Sequence, residues 1–131
     1  MTIHQQVTFE CSAKQLFSIL SDAQLFTEVT GAEAVFDVRE GGEFSAFNRM
    51  INGQFIEIDV PTRIVQTWRV ANWQAGVSSQ ITFALEPNGD EQTTLSFEHS
   101  GYPAEFEQHL AQGWHDRYWE PIKKFITQQK H

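Results

Sequence analysis

His115 and Asp116 stand side by side in the stretch GWHDRYW (113–119). A histidine beside a carboxylate is a pairing that general acid–base catalysis uses. On a helix, however, adjacent residues do not face one another. Glu105 and His109 are four apart, which reads as a solvated surface pair. Asp116 and Glu120 share a face, but Lys124 follows Glu120 at i+4, the pattern of an ordinary helix surface. There is no His-Glu-x-x-His pair, no clustered Cys/His spacing and no carboxylate-rich loop, so no metal is expected. Neither a Gly-x-Ser-x-Gly elbow nor a Gly-rich phosphate loop is present, and no cofactor is implied. The remaining candidate base is His99, near the end of TTLSFEHS (93–100), with Tyr118 as its one available support. A single base without a clear partner favours a non-enzymatic protein, with an enzyme using His99 as the weakest alternative.

The elements that must position these groups follow from periodicity. Residues 3–10 alternate as a first strand. Ser12 offers an N-cap, with Gln15 completing a capping box, to a helix bearing Leu16, Phe17 and Leu20. Asp22 caps a second short helix that Gly31 ends. Strands at hairpin spacing come next: 34–39, a turn at Gly41-Gly42, 43–47, a turn near Asn48-Arg49, a long strand to Val60, then 63–70, 77–86 and 93–100. Gly53 suggests a bulge within the long strand. Pro87-Asn-Gly-Asp is a strong hairpin turn. From Pro103 onward, Phe106, Leu110, Trp114, Tyr118, Ile122 and Phe125 repeat at spacings of four and three, the stripe of a helix of about 25 residues. Lys123, Lys124 and Lys130 lie towards its negative end, and Pro121 should bend it. Trp119 falls on the flank of this helix and Gly113 on its inner side, where a side chain or ligand can approach the backbone closely.

Strand parity places Ile81, Phe83 and Leu85, Leu95, Phe97 and His99, and Ile64, Gln66 and Trp68 on one face of a mostly antiparallel sheet, which the last helix covers. Gln66, Ser79 and His99 are polar groups on that apolar face. Either each has a partner within a filled core, or they line a cavity and orient a ligand there.

The chain has 131 residues, enough for one domain with a real core, and neither repeat nor linker divides residues 1–131. Its net charge of −8 disfavours nucleic acid and anionic membrane as partners. No apolar run is long enough to span a bilayer, and the first thirty residues lack a secretory pattern. The single cysteine, Cys11, excludes an internal disulfide and suits a reducing compartment; a cytoplasmic location is expected.

Strand, two short helices, six further strands and a long terminal helix make the helix-grip arrangement, an α+β fold with a curved sheet of about seven strands. Four stretches carry a resemblance to a known family: REGGEF (39–44), NGQFIEIDVPTRIVQTWR (52–69), HSGYP (99–103) and QGWHDRYWEPIK (112–123). In them the chain resembles the C-terminal domain of the activator of heat-shock-protein-90 ATPase, in the START-like (SRPBCC) superfamily. The family usually has Asp-Gly where this chain has Asn48-Arg49, and arginine suits a positive φ poorly, so a different turn is expected there. The family's full-length co-chaperones carry a separate N-terminal domain, which this chain is expected to lack. The resemblance implies a cavity between helix and sheet. A small apolar or amphipathic molecule in it would contact Phe36, Phe44, Ile58, Gln66, Trp68, Ser79, Ile81, Phe83, Leu95, Phe97, His99, Trp114 and Tyr118. The alternative is a co-chaperone-like module that binds heat shock protein 90 or another protein, with Trp73 and Trp119 as surface contacts if they are exposed.

Overall fold

The computed structural model describes residues 2–129. Strand β1 (Thr2–Phe9) leads into helices α1 (Ala13–Ser21) and α2 (Ala23–Thr30). Both helices start where the sequence supplies a cap. Ser12 Oγ accepts from the Gln15 N–H at 3.1 Å, and Asp22 Oδ1 accepts from the Leu25 N–H at 3.1 Å. Gly31, at φ 77°, closes α2. Six strands follow: β2 (Val35–Phe36), β3 (Glu43–Ala46), β4 (Ile51–Asp59), β5 (Arg63–Val70), β6 (Ser79–Pro87) and β7 (Thr93–Ser100).

All pairings are antiparallel, in the order β1-β7-β6-β5-β4-β3-β2. This is the seven-stranded helix-grip sheet that the sequence predicts. Its register brings the inward residues into rows: Ile64 beside Phe83 beside Phe97, and Gln66 beside Ile81 beside His99. Each row buries its side chains under the C-terminal helix. Helix α2 packs at the other end of the same face, where Phe26 meets Tyr118 with ring centroids 5.6 Å apart.

Three local expectations need correction. The bulge in β4 lies between Phe55 and Glu57, not at Gly53. Gly53 instead marks a close approach, because a Cβ there would sit 1.9 Å from the Thr67 carbonyl oxygen. The β3–β4 turn does not avoid positive φ. Phe47, Asn48 and Arg49 adopt φ of 54°, 57° and 72°, and the Met50 N–H donates to the Phe47 carbonyl at 3.1 Å. Two central residues at positive φ are the geometry that matches strand twist, and the hairpin holds it even with an arginine. The strand expected over 34–39 is only two residues long, since Asp37 and Arg39 turn the chain towards Gly42.

The terminal helix is continuous but irregular. A 3₁₀ turn (Ala104–Phe106) leads into α3 (Glu107–Trp114), a π turn (His115–Trp119) and α4 (Glu120–Gln129). The expected irregularity at Pro121 thus comes earlier, in the five residues before α4. Pro121 itself is the second residue of α4, directly after the π turn. The π turn adds a residue to one winding. Tyr118 and Trp119 therefore both face inward, and the buried stripe resumes at Ile122 and Ile126. Trp119, expected on the flank, has no exposed surface. Counting at 3.6 residues per turn cannot anticipate that shift. Lys130, expected near the negative helix end, lies outside the described residues.

Candidate functional site

Gln5 fixes the helix against the sheet. By parity its side chain lies on the inner face of β1, opposite Phe97. Its Nε2 donates to the Ala111 carbonyl at 2.9 Å, and its Oε1 accepts from Trp119 Nε1 at 2.6 Å. The His115 N–H turns back to the Gln112 carbonyl, which leaves the Ala111 carbonyl for Gln5. One amide thus holds the helix just before its irregular turn and at that turn's last residue. The sequence marks Gln5 only by its parity on the strand.

On the same inner face, His99 and Ser79 join Trp114 to the backbone of β5 in one hydrogen-bonded chain. Trp114 Nε1 donates to His99 Nδ1 at 3.1 Å. An indole nitrogen can only donate, so His99 carries its proton on Nε2. That proton reaches Ser79 Oγ at 2.8 Å, and the Ser79 hydroxyl donates to the Trp68 carbonyl at 2.6 Å. His99 is wholly buried, and both ring nitrogens are engaged. No free nitrogen remains for proton abstraction, so the arrangement suits a structural imidazole and not a general base. Tyr118 is not its support: the Tyr118 hydroxyl accepts from Trp68 Nε1 at 3.4 Å, and burial pushes the phenol pKa up.

Burial holds His99 well below its ordinary value, at about 3. The native ring is neutral, whereas the unfolded chain takes up a proton near pH 6.5. Between those values the unfolded state binds more protons. Stability contributed by the neutral ring is complete above about pH 6.5 and falls as the solution is acidified, by up to about 1.4 kcal/mol per pH unit for one proton. Urea unfolding between pH 7 and 5 should show this slope in the wild type and a flatter profile in His99→Gln. Equal slopes in the two proteins would assign the effect to other groups.

Beyond His99 the interior opens into a cavity of about 340 Å³. Its sheet side is Ile51, Trp68 and Val70, and its helix side is Leu110, Gly113, Trp114 and Tyr118. Phe47 and Phe106 close its ends, and the exposed Met50, Asn72, His109 and Arg117 form its rim. Trp73 completes the wall. The loop after β5 folds inward, Arg69 donates to the Trp73 carbonyl at 2.8 Å, and the indole lies parallel to Phe106 at 6.3 Å. Trp73 is therefore buried, and the surface role expected for it and for Trp119 does not hold. Gly113 faces open space: an added Cβ would meet nothing within 4 Å.

Of the thirteen candidate contacts, Trp68, Trp114 and Tyr118 line this cavity. Ile81, Phe83, Leu95 and Phe97 are buried core, with Phe97 packed on Trp114 at a centroid distance of 4.3 Å. Phe44 and the half-buried Phe36 pack with Phe55, a group that Phe26 joins to Tyr118, Ile58 is half-buried on β4, and Gln66, Ser79 and His99 are buried off the cavity. The lining residues outside that set are Phe106, His109, Leu110, Gly113 and Arg117 on the terminal helix, with the rest on the β3–β4 turn, the loop after β5 and the adjoining strand ends. Gly113 gave a signal as an unfavourable residue inside a helix, and Phe106 and Leu110 fall on the predicted buried stripe. Among the described residues no three His, Cys, Asp or Glu side chains come together as a metal site, and no helix is long and apolar enough to cross a membrane.

The model of the family described as activator of Hsp90 ATPase homolog 1-like protein matches residues 10–127. The chain belongs to that family. It is 28% identical over 93% of its length to the activator of 90 kDa heat shock protein ATPase homolog of Dictyostelium discoideum, covering 32% of that protein. It is 31% identical over 89% of its length to the human activator of 90 kDa heat shock protein ATPase homolog 1, covering 34% of it. The chain thus spans about a third of these curated relatives. A solved structure of an HSP90 activator from Plasmodium falciparum superposes with a TM-score of 0.91 at 25% identity, over 97% of this chain and 96% of that one. The resemblance carried by the four sequence stretches is therefore family membership, and the activator family's fold is the one described above.

Proposed function

We propose that this chain is a co-chaperone-like protein-binding module that acts on heat shock protein 90. The observation that carries the reading is the likeness to the Plasmodium falciparum HSP90 activator, whose chain is matched along 96% of its length by this fold alone. A partner surface needs apolar groups in solvent. Among the described residues the exposed large hydrophobic side chains are Val35, Val38, Met50, Ile56 and Val60, all within β2–β4 and their connections. That third of the sheet is the contact surface in this reading. The test is the steady-state ATPase rate of the cognate chaperone, titrated with this protein. A saturable rise is expected, reduced by Val35→Asp/Val38→Asp in a variant that unfolds at the wild-type midpoint. A rate unchanged at high excess of the protein would overturn the proposal.

One observation favours a second reading beside it. The cavity in front of Gly113 has the volume and aromatic lining of a site for a small apolar or amphipathic molecule. The two readings are compatible and meet at Met50, which belongs both to the exposed apolar set and to the cavity rim.

A further inference from the structure

Three departures from ordinary backbone economy meet at this one cavity. Gly113 stands in the middle of a helix, where it is less favourable than alanine, and no protein atom demands its small size. The π turn begins directly after Trp114, and such turns are frequent at functional sites. At the opposite wall, Phe47 to Arg49 hold three successive non-glycine residues at positive φ. Outliers of this kind cluster at ligand clamps, and here each leads to a residue of the lining: Gly113, Tyr118 and Phe47.

The charge at the mouth selects a class of ligand. On a chain of net charge −8 the lining contains no Asp or Glu, and its charged or titratable rim groups are Arg117 and His109. Among the described residues the ion pairs are His4–Glu98, Arg39–Asp37 and Arg63–Glu57, so the Arg117 guanidinium is not engaged in one. A guanidinium beside an aromatic cavity matches an anionic head on an apolar body.

Resting on the ligand reading of the cavity, we infer that it takes an amphipathic organic anion. The apolar body lies against Trp68, Trp73 and Trp114 in the space before Gly113, and a carboxylate or sulfonate group meets Arg117.

Two probes of the same skeleton test this: 8-anilinonaphthalene-1-sulfonate and its uncharged counterpart N-phenyl-1-naphthylamine. Each is titrated into the protein and followed by probe emission and by quenching of the tryptophans. Both should saturate at one site, the sulfonate about tenfold more tightly, the scale of one charge-assisted hydrogen bond. Arg117→Gln should remove that tenfold preference and leave the neutral probe unchanged. Gly113→Leu should abolish both while keeping cooperative unfolding. Gly113→Ala, whose Cβ meets nothing within 4 Å, should weaken both and keeps the test open if leucine disturbs the helix. Equal affinities, or a sulfonate affinity that ignores Arg117→Gln, would overturn the anion inference and leave the cavity reading standing. No binding of either probe, or binding indifferent to Gly113, would overturn both.

Discussion

Trp114→Ala should destabilise the protein by about 3–5 kcal/mol, the range for truncating a buried tryptophan. Trp114 is 2% exposed and lies at the meeting point of the aromatic core. Its ring centroid is 4.3 Å from those of Phe97 and Tyr118, 5.2 Å from Trp68, and 5.9 Å from Trp119 in a stacked arrangement. Truncation deletes these contacts together and leaves His99 Nδ1 without its donor. A buried acceptor left unpaired adds about 1–3 kcal/mol, which places the loss towards the upper end of the range. The cavity works the other way, since Trp114 is one of its lining residues and the void left by truncation can merge with it. Trp114→Phe separates the two parts: it keeps most of the packing and loses the hydrogen bond. Urea unfolding of both variants is the measurement. A loss below about 1 kcal/mol for the alanine variant would be incompatible with a core role for Trp114.

Gly53→Ala should cost at least about 3 kcal/mol, more than overpacking by one methyl ordinarily does. The new Cβ would lie 1.9 Å from the Thr67 carbonyl oxygen and 2.7 Å from Phe44 Cε1. The Phe44 side chain can rotate away, but the carbonyl belongs to the backbone of β5. Relief therefore requires β4 and β5 to separate where Asn52 pairs with Arg69. The same substitution at Gly113 meets nothing, so the pair of alanine variants contrasts two uses of glycine in one protein. Thermal unfolding of Gly53→Ala at the wild-type midpoint would show that the β4–β5 contact yields easily.

The sheet and its covering helix are legible in the sequence because their signals are periodic. Alternation in residues 77–86 and 93–100 fixes which side chains face inward, and parity alone turns Ser79 and His99 into the core. Parity does not name partners, however. That His99 would be sealed between Trp114 and Ser79 depends on the distance between helix and sheet, which no local pattern encodes. The π turn leaves no mark in composition, and one added residue is enough to carry Trp119 from flank to core. The cavity is illegible for a related reason. Its walls combine a turn near residue 48, a loop near residue 73 and the helix from 106 to 118, and they meet only when Trp73 folds inward.

The sheet's strand order also governs when the fold can form. β1 is made before the other strands of the sheet, yet its neighbour is β7, with Thr2 opposite Ser100 and Phe9 opposite Thr93. The Gln5 clamp reaches further still, to Ala111 and Trp119. The hairpins from β3 to β7 can pair locally as they appear, but the first strand must wait until most of the chain has been made. Closing so long a loop is the slow, non-local kind of step in folding. Within this fold the earliest strand therefore has no place in the sheet until β7 has followed, and the Gln5 contacts that lock the helix in register are among the last to be made.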